Sequence, residues 1–258
     1  MDSRAATIGQ PSSFLKRFWL ALIGPPWVVS LAVVAVVALV RFVAVLSPYP
    51  LQELFFVQSV AMWALPFIFL TENGRRQIGL SQRGMTATSI ILSALAGSAC
   101  AFAFFTLGML VYGDSPDNWC MSIRNYLHFD ELRGFMSPTS LFALYALPAI
   151  LLNPVGEEIL FRGFVQQAFS LRFNRAIATL VNSLLFGMIY LYLHGIWHDA
   201  YGFHLRTGSA ALAIFLMACV GAVFTLCRTL SGALWPAMAA HAAFNLTLLG
   251  IAIHQFAR

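Results

Sequence analysis

Seven side chains in the second half of the chain have the types and spacings of a hydrolytic site: Glu157, Glu158, Arg162, Tyr190, His194, His241 and Asn245. Glu157 and Glu158 are adjacent, and Arg162 follows four residues after Glu158. On a helix, Glu158 and Arg162 share a face with the acid toward the amino terminus, the better order for an ion pair. Glu157 then projects about 100° away. The pair neutralises one carboxylate and leaves the other facing elsewhere. Between apolar walls and a second acid, such a carboxylate acquires the proton affinity that a general base needs near neutral pH. Pro154 removes one backbone hydrogen bond just before the pair, which can open the helix to water. His241 and Asn245, again four apart, project from one face of a late apolar run. Each must find a polar partner in another helix or a wet cavity, because an unpaired buried amide or imidazole costs at least about 1–3 kcal/mol. Phe186, Tyr190 and His194 recur at four-residue intervals and set a phenol and an imidazole on one stripe.

Each group also has a plainer use. Glu-Glu-x-x-x-Arg suits the solvated end of a span, and His241 with Asn245 suits an interhelical hydrogen-bond clip. Tyr190, Tyr192 and His194 suit an interfacial aromatic belt with Trp197. His198 and His204 read as loop residues, and Asn245-Leu-Thr247 lies too deep in an apolar run to serve as a glycosylation site. Cost favours the functional reading: an ionisable group at mid-membrane costs roughly 2.5–3.5 kcal/mol on insertion scales, so those present are functional candidates by default.

The elements that must hold these groups are themselves apolar. Of 258 residues, 60% are hydrophobic and 10% charged, against about 25% charged in a soluble domain. An ordinary soluble enzyme is excluded. Apolar runs of about 20 residues predict an all-α, polytopic transmembrane helical bundle of about seven spans, over 26–46, 51–70, 85–112, 139–155, 176–194, 209–226 and 233–253. Residues 1–25 read as a cytoplasmic amino-terminal segment and 26–258 as a single membrane-embedded domain, with the candidate motifs in 141–250. Arg41 falls in the last turns of the first span, where a long side chain can reach the interface. Arg75, Arg76 and Arg83 mark a cytoplasmic loop, which puts Arg4, Lys16 and Arg17 on the same side and is joined by Arg172, Arg175 and Arg228. The 113–138 loop, with Asp114, Asp117, Asp130 and Glu131 against Arg124 and Arg133, reads as external, with a short amphipathic helix around 121–135. The net charge of +5 is therefore an orientation signal, and no nucleic-acid partner is expected. Cys100, Cys120, Cys219 and Cys227 are scattered without a Cys-x-x-Cys pair and indicate neither a disulfide framework nor a zinc ribbon.

Glu157-Glu158-x-x-x-Arg162, a Phe-led helical motif and His241-x-x-x-Asn245, in this order and in apolar surroundings, resemble the CAAX protease and bacteriocin-processing (CPBP) family of intramembrane glutamic endopeptidases. The likeness spans about 141–250. It implies that Glu157 activates water and that His241 and Asn245 help hold the polarised carbonyl, with no cofactor and no metal. The family's second motif is Phe-x-x-x-His, whereas the fourth residue after Phe186 is Tyr190. Either His194 supplies the imidazole from about 6 Å further along the axis, or Tyr190 donates a neutral hydrogen bond. A third possibility is a non-hydrolytic relative.

On the residues alone, the chemistry is peptide hydrolysis by activated water, with oxyanion donors that contribute about 2.7–4 kcal/mol each in well-studied hydrolases. Gly-x-Ser-x-Gly and His-Glu-x-x-His are absent from the sequence. Two rivals remain: a zinc-dependent membrane protease using Glu157, His194 and His241, and a proton-coupled transporter or noncatalytic membrane interaction protein using the same acids. The expected partners are a membrane-anchored peptide or protein substrate and the lipid bilayer. The resemblance allows a prenylated carboxyl-terminal peptide, a bacteriocin leader or a membrane-anchored sorting signal. A short chain without an endoplasmic-reticulum retention signal points to a bacterial cytoplasmic membrane.

Overall fold

The computed structural model describes residues 11–46, 52–80, 85–126, 132, 134–199 and 202–256. Seven long helices carry the fold: α1 (Pro26–Leu46), α2 (Gln52–Phe69), α3 (Ala87–Tyr112), α4 (Pro138–Ser170), α5 (Arg175–His194), α6 (Thr207–Ser231) and α7 (Leu234–Phe256). All but α2 are long and apolar enough to cross a membrane. The apolar part of α2, Leu54–Phe69, is shorter. The spans expected from the sequence are thus present as helices, with α2 the short one. Arg83 and most of 127–133 lie outside the described residues.

Local chemistry sets the boundaries. A reciprocal Thr86 and Ser89 capping box opens α3, satisfying two backbone donors that would otherwise be orphaned at a helix start. Asn174 caps α5 through its side chain. Gly232, at φ 72°, closes α6 in the left-handed region and lets α7 begin two residues later, a conformation that a Cβ would penalise.

α4 is continuous through the acid motif but is not α-helical throughout. The α-helical turns Asn153–Glu158 sit between π-helical turns at Pro148–Leu152 and Ile159–Val165. Pro154 cannot donate its backbone hydrogen bond, which leaves an upstream carbonyl to be satisfied elsewhere. Wider π turns inside an α-helix are frequent at functional sites.

One end of the bundle gathers the basic segments. Phe14 and Leu15 are fully buried, and Leu15 bridges to Leu70. The Lys16 amide donates to the Phe69 carbonyl and the Thr71 amide to that of Phe14, each at 3.0 Å. Arg228 Nη2 donates to the Gln77 carbonyl at 3.3 Å, and the Leu234 amide to that of Gly79 at 2.9 Å. At the other end, Trp119–Tyr126 forms a short helix whose first two residues are fully buried. The stretch holding His198 and His204, expected as a loop, is an antiparallel hairpin of β1 (Ile196–Asp199) and β2 (Gly202–Leu205), with His198 opposite Phe203 and His204 opposite Trp197.

Close helix approaches occur where residues are small. A Cβ on Gly97 would overlap the Ala240 carbonyl, so α3 meets α7 backbone to backbone one residue before His241. A Cβ on Gly156 would stand 2.9 Å from the Ser59 carbonyl oxygen of α2, directly before Glu157. Small residues at such crossings are the usual means of close packing between membrane helices.

Candidate active site

Glu157, Glu158, Arg162 and His241 converge in the middle of the bundle, all at 1% exposure or less. The expected pair is present: Arg162 Nη1 donates to Glu158 Oε1 at 2.9 Å. Arg162 Nη2 donates to the Gly221 carbonyl of α6 at 3.0 Å, and the guanidinium carbon lies 4.0 Å from the Phe186 ring centroid and 5.2 Å from that of Phe224. Gly221 is where these groups meet, since a Cβ there would stand 3.0 Å from Phe186 Cδ1 and 3.2 Å from Arg162 Nη2. The arginine is thus held by charge, by a backbone carbonyl and by two ring faces, a combination suited to guanidinium.

His241 joins the two acids. Its Nδ1 lies 2.8 Å from Glu158 Oε1, and its Nε2 lies 3.9 Å from Glu157 Oε2. Its ring stacks on Phe224 at 5.0 Å and meets the edge of Phe186 at 5.7 Å. When the Nδ1 hydrogen is given to Glu158, the neutral ring presents Nε2 as an acceptor toward Glu157. At 3.9 Å, these two acceptors are close enough for a single water to donate one hydrogen to each.

Glu157 is not left facing an apolar wall. Its Oε1 accepts from Arg41 Nη2 at 2.7 Å, and its Oε2 accepts from the Tyr190 hydroxyl at 2.8 Å. The reading of Arg41 as a side chain reaching for the interface is corrected here, because Arg41 is 2% exposed and paired within the bundle. The apolar sequence around it already carried the signal: a guanidinium at this depth that pairs with nothing on its own helix needs a partner elsewhere. Gln58, which accepts from Arg41 Nε at 2.9 Å, gave no such signal, since an amide in a span has many uses.

Of the two candidates for the missing histidine, Tyr190 is the one that touches Glu157. α5 breaks at Tyr190, where helical geometry stops at Ile189 and resumes at Leu191. His194 remains stacked on Tyr190, with centroids 6.0 Å apart and planes 15° apart, and it also packs on Phe104 at 5.4 Å. Asn245 lies one turn beyond His241, and its Nδ2 donates to the Ala149 carbonyl at 3.1 Å. Ala149 is five residues before Pro154, the carbonyl a π turn would pair with the missing amide, so Asn245 fills that gap. An amide nitrogen has two hydrogens, and one remains for another acceptor.

A cavity of about 360 Å³ adjoins this cluster, walled by Phe55, Phe56, Met217, Phe244 and Leu248 and by the polar groups of Ser59, Asn153, Tyr190, His194 and Asn245. Tyr190 is the link, since its ring borders the cavity and its hydroxyl touches Glu157. Its size and apolar walls suit a small ligand or a short peptide stretch. Among the described residues, no group of three or more His, Cys, Asp or Glu is arranged to hold a metal ion.

A family model described as Rce1-like, Type II CAAX prenyl endopeptidase Rce1-like, matches residues 139–247. No curated protein and no solved structure gives a significant match. The matched stretch runs from α4 into α7 and contains Glu157, Glu158, Arg162, Tyr190 and His241, with Arg41 and Gln58 outside it. Over this segment, which is less than half of the chain, the protein is similar to the CAAX prenyl endopeptidases, and its six long apolar helices are those of a multi-pass membrane protein.

Proposed function

We propose that the protein is a glutamic-type intramembrane endopeptidase that cleaves a membrane-anchored peptide near its terminus with a water activated by Glu157. The observation that carries this reading is the convergence of Glu157 Oε2, His241 Nε2 and the Tyr190 hydroxyl beside an apolar cavity. A substrate segment enters the cavity and brings its scissile carbonyl against Tyr190. The Tyr190 hydroxyl turns from Glu157 to the carbonyl oxygen, and a water takes its place between Glu157 Oε2 and His241 Nε2. Glu157 accepts a proton as the water oxygen attacks, and Tyr190 with the second hydrogen of the Asn245 amide stabilises the oxyanion. Glu157 then returns the proton to the leaving nitrogen. Water adds, the C–N bond breaks, and no covalent enzyme intermediate forms.

Glu158 and Arg162 act behind this centre. Glu158 holds the Nδ1 edge of His241, and Arg162 balances its charge. His194 serves the cavity wall and supports Tyr190 by stacking. The match to a prenyl endopeptidase model supports a lipidated peptide as substrate, and the clustering of basic segments at one end supports an amino-terminal segment on the cytoplasmic side of a bacterial membrane.

The test uses purified protein in phospholipid vesicles and a farnesylated peptide with an aliphatic carboxyl-terminal tripeptide, carrying a fluorophore and a quencher across the cleavage site. The wild type cleaves it, and Glu157→Gln lowers kcat by at least about 100-fold, the lower end of what a general base supplies, while retaining its elution profile, with thermal stability lowered because Arg41 loses its buried partner. Full turnover by Glu157→Gln would remove this mechanism.

A further inference from the structure

Arg41 and Gln58 lie outside the matched segment, yet they contact the acid at its centre. The Arg41 guanidinium is anchored on two edges, with Nε on Gln58 Oε1 at 2.9 Å and Nη2 on Glu157 Oε1 at 2.7 Å. Gln58 is oriented in turn by its own amide, which donates to the Val37 carbonyl at 2.7 Å, one turn before Arg41 on the same helix. The rings of Tyr192 and Tyr190 lie 5.4 and 6.0 Å from the guanidinium carbon. A planar cation fixed this way has little rotational freedom, and neither has the carboxylate edge it binds. The two oxygens of Glu157 therefore have different surroundings: Oε1 is committed to Arg41, and Oε2 is turned toward Tyr190 and His241 Nε2.

We propose that Arg41, held by Gln58, is a positioning residue that fixes the rotamer of Glu157 and reserves Oε2 as the working oxygen, so that α1 and α2 form part of the active site. This rests on Glu157 being the base. A base rotated by one torsion presents its oxygen about 1 Å or more from the attacking water, and a misplacement of that order can cost about 100-fold in rate. Lysine in place of Arg41 supplies the charge but lacks the rigid fork, so it restores the ion pair better than it restores the geometry.

Two readouts decide the matter. In the farnesylated-peptide assay, Arg41→Gln lowers kcat by about 100-fold with KM changed by less than about twofold, and Arg41→Lys recovers part of kcat at the same KM. In the second, dicyclohexylcarbodiimide, which modifies protonated carboxyls in apolar surroundings, is applied to the full-length protein in vesicles and the modified residue is located by mass spectrometry. Glu157 of the wild type and of Arg41→Lys stays unmodified, and Glu157 of Arg41→Gln is modified. Equal modification of Glu157 in wild type and Arg41→Gln, or wild-type kcat in Arg41→Gln, would overturn the proposal. Failure of the wild type to cleave the probe would count against the substrate reading, and labelling, which needs no turnover, would then decide the role of Arg41. If Arg41→Gln fails to insert, Gln58→Leu keeps both charges and carries the same comparison. Lower kcat at constant KM supports the proposal, and unchanged kcat overturns it.

Discussion

Glu157 and Glu158 are neighbours in sequence with separate duties. Glu158 binds both Arg162 and His241 Nδ1 through Oε1, whereas Glu157 gives one oxygen to Arg41 and keeps the other beside a tyrosine hydroxyl and an imidazole nitrogen. Each buried acid has a buried guanidinium of its own, which is what allows two adjacent carboxylates to share one apolar interior, since an uncompensated buried charge costs about 3–5 kcal/mol. Tyr190 differs from the histidine of the family motif in being a neutral donor with no acceptor nitrogen. Tyr190→Phe is accordingly expected to lower kcat by about 100-fold, the loss typical of one oxyanion donor, while His194→Phe gives a smaller loss that falls on KM. Steady-state kinetics with the farnesylated peptide separates the two; a larger kcat loss at His194 would reverse their roles. The Glu158 and Arg162 contact was legible in the sequence because an i, i+4 pair is fixed by helix geometry alone. The partners of Glu157 were not, because a guanidinium in a span can turn toward the interface or inward, and only the neighbouring helices decide. The choice between Tyr190 and His194 depended on a helix break that no spacing rule shows.

Helices position these groups through close backbone contacts. α3 presses on α7 at Gly97 and Ala240, α2 on α4 at Ser59 and Gly156, and α5 on α6 at Gly187 and the Ile214 carbonyl. Each contact lies within a turn of a site residue: His241, Glu157 or Tyr190. A larger residue at Gly97 must push α7 away, and overpacking costs typically about 1–3 kcal/mol. Gly97→Leu is expected to lower thermal stability by that amount and to reduce kcat further by moving His241 from Glu157. A Gly97→Leu variant with both values unchanged would show that the α3 and α7 approach does not set the site. The bundle itself could be read from apolar run lengths, and the seven helices stand where those runs predict them. The π turns on either side of Asn153–Glu158 could be read only in part: Pro154 announces a missing hydrogen bond, but not that Asn245 of α7 supplies the donor to Ala149.

At the scale of the whole molecule, acid, imidazole and phenol come from three separate helices and meet behind a cavity that α2 helps to wall. The matched segment contains Glu157, Tyr190 and His241, and the amino-terminal pair of helices supplies Arg41, Gln58, Phe55, Phe56 and Ser59. The basic segments around residues 11–22, 70–79 and 228–234 are tied together at one end of the bundle by hydrogen bonds. The central claim is that Glu157 and His241 act as a unit on one water, and groups that act as a unit give strongly non-additive losses. The most direct measurement is therefore kcat for Glu157→Gln, His241→Ala and the double variant on the farnesylated peptide in vesicles. The double variant is predicted to be no slower than the slower single variant by more than a few-fold, whereas losses that multiply, or a Glu157→Gln variant that turns over like the wild type, would contradict it.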